Sequence, residues 1–252
     1  MSFIIAMAGK GGTGKTTVAG MLLRYLVEHG KNPVLAVDAD ANSNFNEVLG
    51  LEVDHTVGEA REEMKKGGGQ VDMTKDQLIE MRINQCLVEA DGFDLLAMGR
   101  PEGPGCYCAA NNILRTSVDR LSDAYDYVVI DNEAGLEHLS RRTTQDVDLL
   151  VIVSDPSLRG IIAAGRVAEL VDELKTAVGE AYLLVNRVNG EELPEPLTRA
   201  IEEHKLKLGG LLPADPAVNE LDALGEPITK LPLDSPMRSK LEAFLTSLNG
   251  GL

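Results

Sequence analysis

Phe3-Ile4-Ile5-Ala6-Met7-Ala8-Gly9-Lys10-Gly11-Gly12-Thr13-Gly14-Lys15-Thr16-Thr17 is the stretch that decides the fold. An apolar run of strand length enters a glycine-rich turn, and Val18-Ala19-Gly20-Met21-Leu22-Leu23-Arg24-Tyr25-Leu26 then continues with helical periodicity. Gly9 to Thr16 fits the pattern G-x-x-x-x-G-K-[ST], and strand, loop and helix in that order give it its structural context. Glycines let the backbone turn tightly enough for successive N–H groups to face inward as an anion nest. The helix that follows adds its free N–H groups and the positive end of its dipole. The loop residues Gly9, Lys10, Gly11, Gly12, Thr13, Gly14, Lys15, Thr16 and Thr17 are thus candidate nucleotide-binding residues. Lys15 reaches the β- and γ-phosphates in this reading, Thr16 ligates Mg²⁺, and Thr17 adds a hydroxyl near the α-phosphate.

Outward from the loop, apolar strand-length runs alternate with helical patterns. Strands are predicted at Pro33–Val37, Phe93–Met98, Tyr127–Ile130, Leu149–Val153, Tyr182–Val185 and Leu208–Leu212, and helices at about 109–124, 158–176, 194–204 and 235–247. Residues 41–92 read as less regular, with a Gly67-Gly68-Gly69 break. The alternation predicts an α/β P-loop NTPase fold with a mostly parallel central sheet and helices on both faces. The 252 residues fit a single domain spanning 1–252. Ligands collect at the carboxyl ends of strands in such sheets. The loop after Ala8, then Asp38, the segment after Met98, Asp131, Asp155 and Asn186 all fall there.

The formal net charge of −16 repels nucleic acid and anionic membranes, so neither is expected as a partner. No apolar run approaches the roughly 18 residues of a membrane span, and the first apolar run lacks the basic flank of a secretory signal. Three cysteines make no disulfide framework, and with a nucleotide loop they point to the cytoplasm.

Lys10, just after the first glycine of the loop, is not needed by a loop that binds only its own nucleotide. Lys-Gly-Gly-x-Gly-Lys-Thr resembles the signature-lysine loop of the deviant-Walker ATPases, which include nitrogenase iron protein, the division-site and plasmid-partition ATPases, tail-anchored protein targeting factors and metallocentre maturation ATPases. The resemblance implies a nucleotide-dependent homodimer in which Lys10 reaches the partner's phosphates. Asp38-Ala39-Asp40 resembles the D-x-D segment of that group, although Ala41 stands where a proline is usual. By that resemblance Asp40 positions the hydrolytic water, with Lys10 and Lys15 completing the catalytic set, and Asp38 lies near the Mg²⁺. Asp131 ends an apolar Walker-B-like strand and is a further Mg²⁺ candidate, while Gly135 is placed to offer its N–H to the γ-phosphate in a switch. Asn186-Arg187 resembles the adenine-reading asparagine position, and an amide can pair with an adenine edge because it carries both donor and acceptor. Pro213 and Asp215 resemble the later loop that packs on the base.

Gly99-Arg100-Pro101-Glu102-Gly103-Pro104-Gly105-Cys106-Tyr107-Cys108 reads as a loop. In extended Cys-x-Cys both thiols point to one side, which supplies half of a tetrahedral thiolate site. His29, His55, His138 and His204 show no ligand spacing to the pair. A symmetric dimer would supply the other half: Cys106 and Cys108 from two chains holding Ni²⁺, Zn²⁺ or, alternatively, an iron–sulfur cluster. Cys86 lies in a helical pattern and reads as core. The cysteine stretch, together with Asp131-Asn132-Glu133-Ala134-Gly135-Leu136-Glu137-His138, resembles the CooC-type nickel-insertion ATPases along nearly the whole chain. That resemblance implies ATP/ADP and Mg²⁺ as cofactors, a homodimer, and apo carbon monoxide dehydrogenase or acetyl-CoA synthase as client. A reductase like nitrogenase iron protein and a partition or positioning ATPase are the alternative readings.

Overall fold

The strand that precedes the glycine loop, β1 (Phe3–Ala8), lies inside an eight-stranded sheet with the order β3-β4-β2-β5-β1-β6-β7-β8. The other strands are β2 (Val34–Ala39), β3 (Leu87–Ala90), β4 (Phe93–Ala97), β5 (Tyr127–Asn132), β6 (Asp146–Ser154), β7 (Ala177–Val188) and β8 (Leu208–Pro213). All pairings are parallel except β3 with β4. The computed structural model describes residues 2–42, 44–65, 74–100, 106–132, 146–174 and 177–248. Gly135, with the rest of the proposed switch after Asn132, lies outside the described residues.

The described helices are α1 (Lys15–Glu28), α2 (Phe45–Leu49), α3 (Val57–Lys65), α4 (Lys75–Gln85), α5 (Cys106–Leu121), α6 (Leu158–Leu174), α7 (Glu195–Glu203), α8 (Pro216–Leu224) and α9 (Pro236–Ser247). Side chains alternate across each strand, so the sheet builds two cores. One face carries Ile5, Met7, Ala36, Val129 and Val151 against Leu22 and Leu26 of α1 and Leu241 and Phe244 of α9. The other carries Ala6, Val37, Ile130 and Ile152 against Val57 of α3, Leu114 of α5, Ile161 of α6 and Leu197 of α7. Burial on both faces explains why the strands read as continuous apolar runs rather than alternating ones.

Register sets the site. Asp38 pairs with Asp131 across β2 and β5, and Met7 pairs with Asp131 across β1 and β5. Because β1, β2 and β5 are parallel neighbours, the loop after Ala8 and both aspartates emerge at one edge of the sheet.

The structure departs from the sequence reading in several places. Residues 41–92 hold α2, α3, α4 and the antiparallel edge strand β3, joined to β4 by a turn in which Gly92 has φ 84°. Short helices and a half-exposed edge strand carry too little periodicity to stand out. The segment 216–224, given no element, is α8. Cys106-Tyr107-Cys108 opens α5 instead of continuing a loop. Alternation belongs to extended backbone, whereas side chains sharing a helix face are three or four residues apart, so the same-side argument for the thiols does not carry over.

Candidate functional site

The glycine loop has the backbone its sequence requires. Gly9, Gly12 and Gly14 have φ of 141°, 78° and 90°. A Cβ at Gly9 would fall 2.2 Å from the Val153 carbonyl oxygen, and one at Gly14 would fall 2.5 Å from Asn186 Nδ2. The loop also closes on itself. The Lys10 carbonyl accepts from Thr13 Oγ1 at 2.9 Å and from Lys15 Nζ at 3.4 Å. Lys15 is buried at the start of α1, and burial lowers its pKa while the charges of Asp131 and Asp40 oppose that shift. Gly14 occupies the N-cap position of α1 and has no side chain to cap it, so the first amides of the helix face the loop. Gly11 and Gly12 are exposed and Thr16 and Thr17 half-buried, which leaves the loop open on its outer side. Lys10 is exposed, as a residue acting on a second molecule would need to be.

The carboxylates divide their work. Asp38 is fully buried; its Oδ1 accepts from Asp40 N and its Oδ2 from Phe45 N, each at 3.0 Å. It therefore fixes the turn that carries Asp40. Burial pushes Asp38 up to about 7, against the pull of those two N–H groups. Asp40 is half-buried, and its Oδ1 accepts from the Asn42 backbone at 2.8 Å. Asp131 is 1% exposed and is pushed up to about 6 by burial, opposed by a hydrogen bond from Thr16 and by the Lys15 charge. Its Oδ1 has no partner among the described residues. An orphaned carboxylate oxygen, a neighbouring hydroxyl and a second buried carboxylate together fit a divalent cation, which would relieve the cost of holding these charges in a dry site. Thr16 and Asp131 are the residues suited to hold it, with Asp38 behind them.

A cavity opens beside Thr17, walled in part by Asn186, Arg187, Pro213, Asp215 and Met237. Three of the residues expected at a base, Asn186, Pro213 and Asp215, thus meet next to the phosphate loop. Asn186 is buried, and its Nδ2 donates to the Thr13 carbonyl at 2.9 Å. The Asp215 carboxylate is used by the protein itself. Oδ1 caps α8 through Ala217 N at 2.9 Å, and Oδ2 accepts from Ser235 Oγ at 2.6 Å and Met237 N at 3.3 Å. Its contribution to the cavity is to hold α8 and α9 in place, a role that the Asp-Pro start of α8 signals.

Sequence reasoning named two residues here within motifs but gave neither a role. Asn132 donates from Nδ2 to the Met7 carbonyl at 2.8 Å, tying β5 to β1 just below the loop. Arg187 donates from Nη1 to the Gly12 carbonyl at 3.0 Å. Their only sequence signal is a polar residue at the end of an apolar strand.

Cys106 and Cys108 lie at the start of α5, and their side chains lie outside what the structure describes. The chain leaves β4 at its carboxyl end and returns through α5 to β5, so α5 begins at the sheet edge that carries the phosphate loop. Among the described residues no three His, Cys, Asp or Glu side chains gather into a metal-holding group. Cys86 caps the end of α4, is 1% exposed and donates from Sγ to the Arg82 carbonyl at 3.2 Å. Burial pushes its thiol up to about 11, which suits an inert core residue. No described helix is long and apolar enough to cross a membrane.

Comparison with known proteins agrees with this geometry. Residues 4–228 match the model of the CobQ/CobB/MinD/ParA nucleotide-binding domain. The chain is 44% identical over 243 residues to an uncharacterized ATP-binding protein of Methanocaldococcus jannaschii, covering 95% of each chain. It is 33% identical over 262 residues to the carbon monoxide dehydrogenase accessory protein CooC of Rhodospirillum rubrum, covering 97% of this chain and 95% of that one. Its fold resembles the cell division ATPase MinD of Pyrococcus furiosus, with a TM-score of 0.70 at 22% identity over 96% of this chain and 95% of that one. With its phosphate loop, its paired strand-end aspartates and a family match across most of its length, the chain belongs to the CobQ/CobB/MinD/ParA family of P-loop ATPases.

Proposed function

We propose that this protein is a homodimeric ATPase that carries a metal ion on Cys106 and Cys108 across its dimer axis and supports nickel insertion into apo carbon monoxide dehydrogenase or acetyl-CoA synthase. The observation that carries this reading is the position of the cysteine pair at the opening of α5, on the sheet edge that holds the phosphate loop. Similarity to the carbon monoxide dehydrogenase accessory protein over nearly the whole chain supports the choice of client.

In this reading the loop amides and Lys15 hold the triphosphate. Bound Mg²⁺ would neutralise charge developing on the β- and γ-phosphate oxygens. Asp40, held in place by Asp38, orients the attacking water, and exposed Lys10 reaches the partner's phosphates. Gly135 offers its N–H to the γ-phosphate, and Asn186 and Pro213 receive the base. Four thiolates from two chains would complete a tetrahedral site around one ion, provided the first turn of α5 lets both thiols of each chain turn to one side. Nickel is the cargo, and hydrolysis changes the hold on it. Coupling of this kind requires that nickel affinity differ between nucleotide states, because a ligand that binds two states equally shifts neither. Nickel titrations of the reduced protein with ADP and with a non-hydrolysable ATP analogue test this directly. The reading expects affinities differing by about fivefold or more; equal affinities would remove the coupling.

A further inference from the structure

Side chains of consecutive residues in a strand point to opposite faces of the sheet. Asn186 and Arg187, at the end of β7, break that rule. Both reach the same loop: Asn186 Nδ2 donates to the carbonyl of Thr13 at 2.9 Å, and Arg187 Nη1 to the carbonyl of Gly12 at 3.0 Å. The backbone explains how. The pairing of β7 with β8 shifts register between Val185 and Val188, and Arg187 has φ 58°, in the left-handed region that a residue with a Cβ rarely adopts. Irregular pairing of this kind re-aims side chains beside functional sites. The turn is held locally by Asn186 Oδ1, which accepts from Arg187 N at 2.9 Å. Room is kept for it by Gly14, where a Cβ would fall 2.5 Å from Asn186 Nδ2.

We propose that Asn186 and Arg187 are positioning residues for the phosphate loop. By holding two successive loop carbonyls outward, they keep the loop N–H groups set for phosphate before any ligand arrives, independently of contact with a base. The same two side chains wall the cavity beside Thr17, so the base site and the phosphate site share one support. A loop set in advance loses less freedom on binding, and the gain appears as affinity. The proposal rests on nucleotide binding at this loop and on nothing about the metal.

Arg187 is exposed, so Arg187→Met tests the point with little threat to folding, and the alanine-like backbone constraint at Cβ is unchanged. The probes are Mg-ADP and inorganic Mg-tripolyphosphate, which has no base and cannot use the cavity. The proposal expects both ligands to weaken by a common factor, about three- to tenfold. The loss should appear in KM for ATP more than in kcat. The wild-type-to-variant ratio should persist in about 1 M salt, where the screening length is roughly 3 Å. Arg187→Lys, which keeps a charged donor, should recover most of the affinity. Weakening of ADP alone would make Arg187 a base contact and overturn the proposal. A ratio that collapses in salt would reduce it to a general charge effect, and unchanged binding of both ligands would also overturn it. Failure of the wild-type chain to bind Mg-ADP would overturn the nucleotide-site reading along with it.

Discussion

The phosphate loop and the start of α5 leave the same edge of the sheet, yet they are built in opposite ways. The loop is held from every side by its own chain: Val153 beneath Gly9, Asn186 and Arg187 on the Thr13 and Gly12 carbonyls, and Lys15 folded onto the carbonyl of Lys10. Its acidic neighbours, Asp38 and Asp131, are buried and set in register by paired strands. The cysteine pair opens a helix, and two thiolates fill only half of a tetrahedral site. The difference teaches where each function can be completed. Nucleotide binding is prepared within one chain, whereas the metal site proposed above would call for a second copy. Substitutions in the first region, Lys10 apart, should therefore act in the monomer, and those in the second should act only where two chains meet.

The most severe test of the first region is Lys15→Ala. It removes a buried cation whose charge faces Asp131 and Asp40, and ATP turnover should fall by about 10²–10³-fold. Metal content of the purified protein should stay unchanged; a parallel loss of metal would erase the distinction between the regions. Gly9→Ala places a Cβ 2.2 Å from a backbone oxygen at a φ of 141°, where no side chain can move aside. A loss of about 2–4 kcal/mol in unfolding free energy is expected, read by denaturant titration. A melt like that of the wild type would mean that β6 yields and that the loop is less fixed than it looks.

How far the sequence revealed these regions follows from their physics. The strands bordering β1 were legible because burial on both faces makes them continuous apolar runs, and the loop because its residues are contiguous. Helices α6, α7 and α9 were legible from periodicity, to within a few residues at their ends. Edge strand β3 and helices α2 and α3 were not, since half-exposed elements leave a weak pattern, and of α4 only its end, the helical pattern around Cys86, was read. Asp215 was placed at a base site by resemblance to a family loop; only the structure shows its carboxylate spent on Ser235, Ala217 and Met237. Arg187 was hidden because its role depends on a positive φ and a break in register, which no local residue pattern announces. The glycines and prolines before Cys106 concealed the start of α5 in the same way.

A milder test uses pH. The folded-state values of Asp38, about 7, and Asp131, about 6, lie above the ordinary 3.8. Between those limits the folded chain binds more protons than the unfolded one, so the stability these two groups contribute is lost as pH rises from about 4 to 7. Asp131→Asn should flatten that slope in nucleotide-free protein and stabilise it above about pH 6, by about 1–3 kcal/mol. Thermal melts across this range check it, and an unchanged slope would mean that the Asp131 charge is already compensated. The smallest effect is expected for Cys86→Ser. The hydroxyl can keep the bond to the Arg82 carbonyl, so the cost should stay near 1 kcal/mol or below, and bound metal should not change. Lost metal would return Cys86 to the ligand set.

The central claim, a metal held between two chains by Cys106 and Cys108, is tested most directly by metal content. Nickel and zinc per chain, measured on reduced, anaerobic protein alongside mass by light scattering, should come to about half an ion per chain in a dimer. The Cys106→Ser/Cys108→Ser variant should hold none. One ion per chain in a monomer, or an undiminished half ion in the variant, would contradict the account.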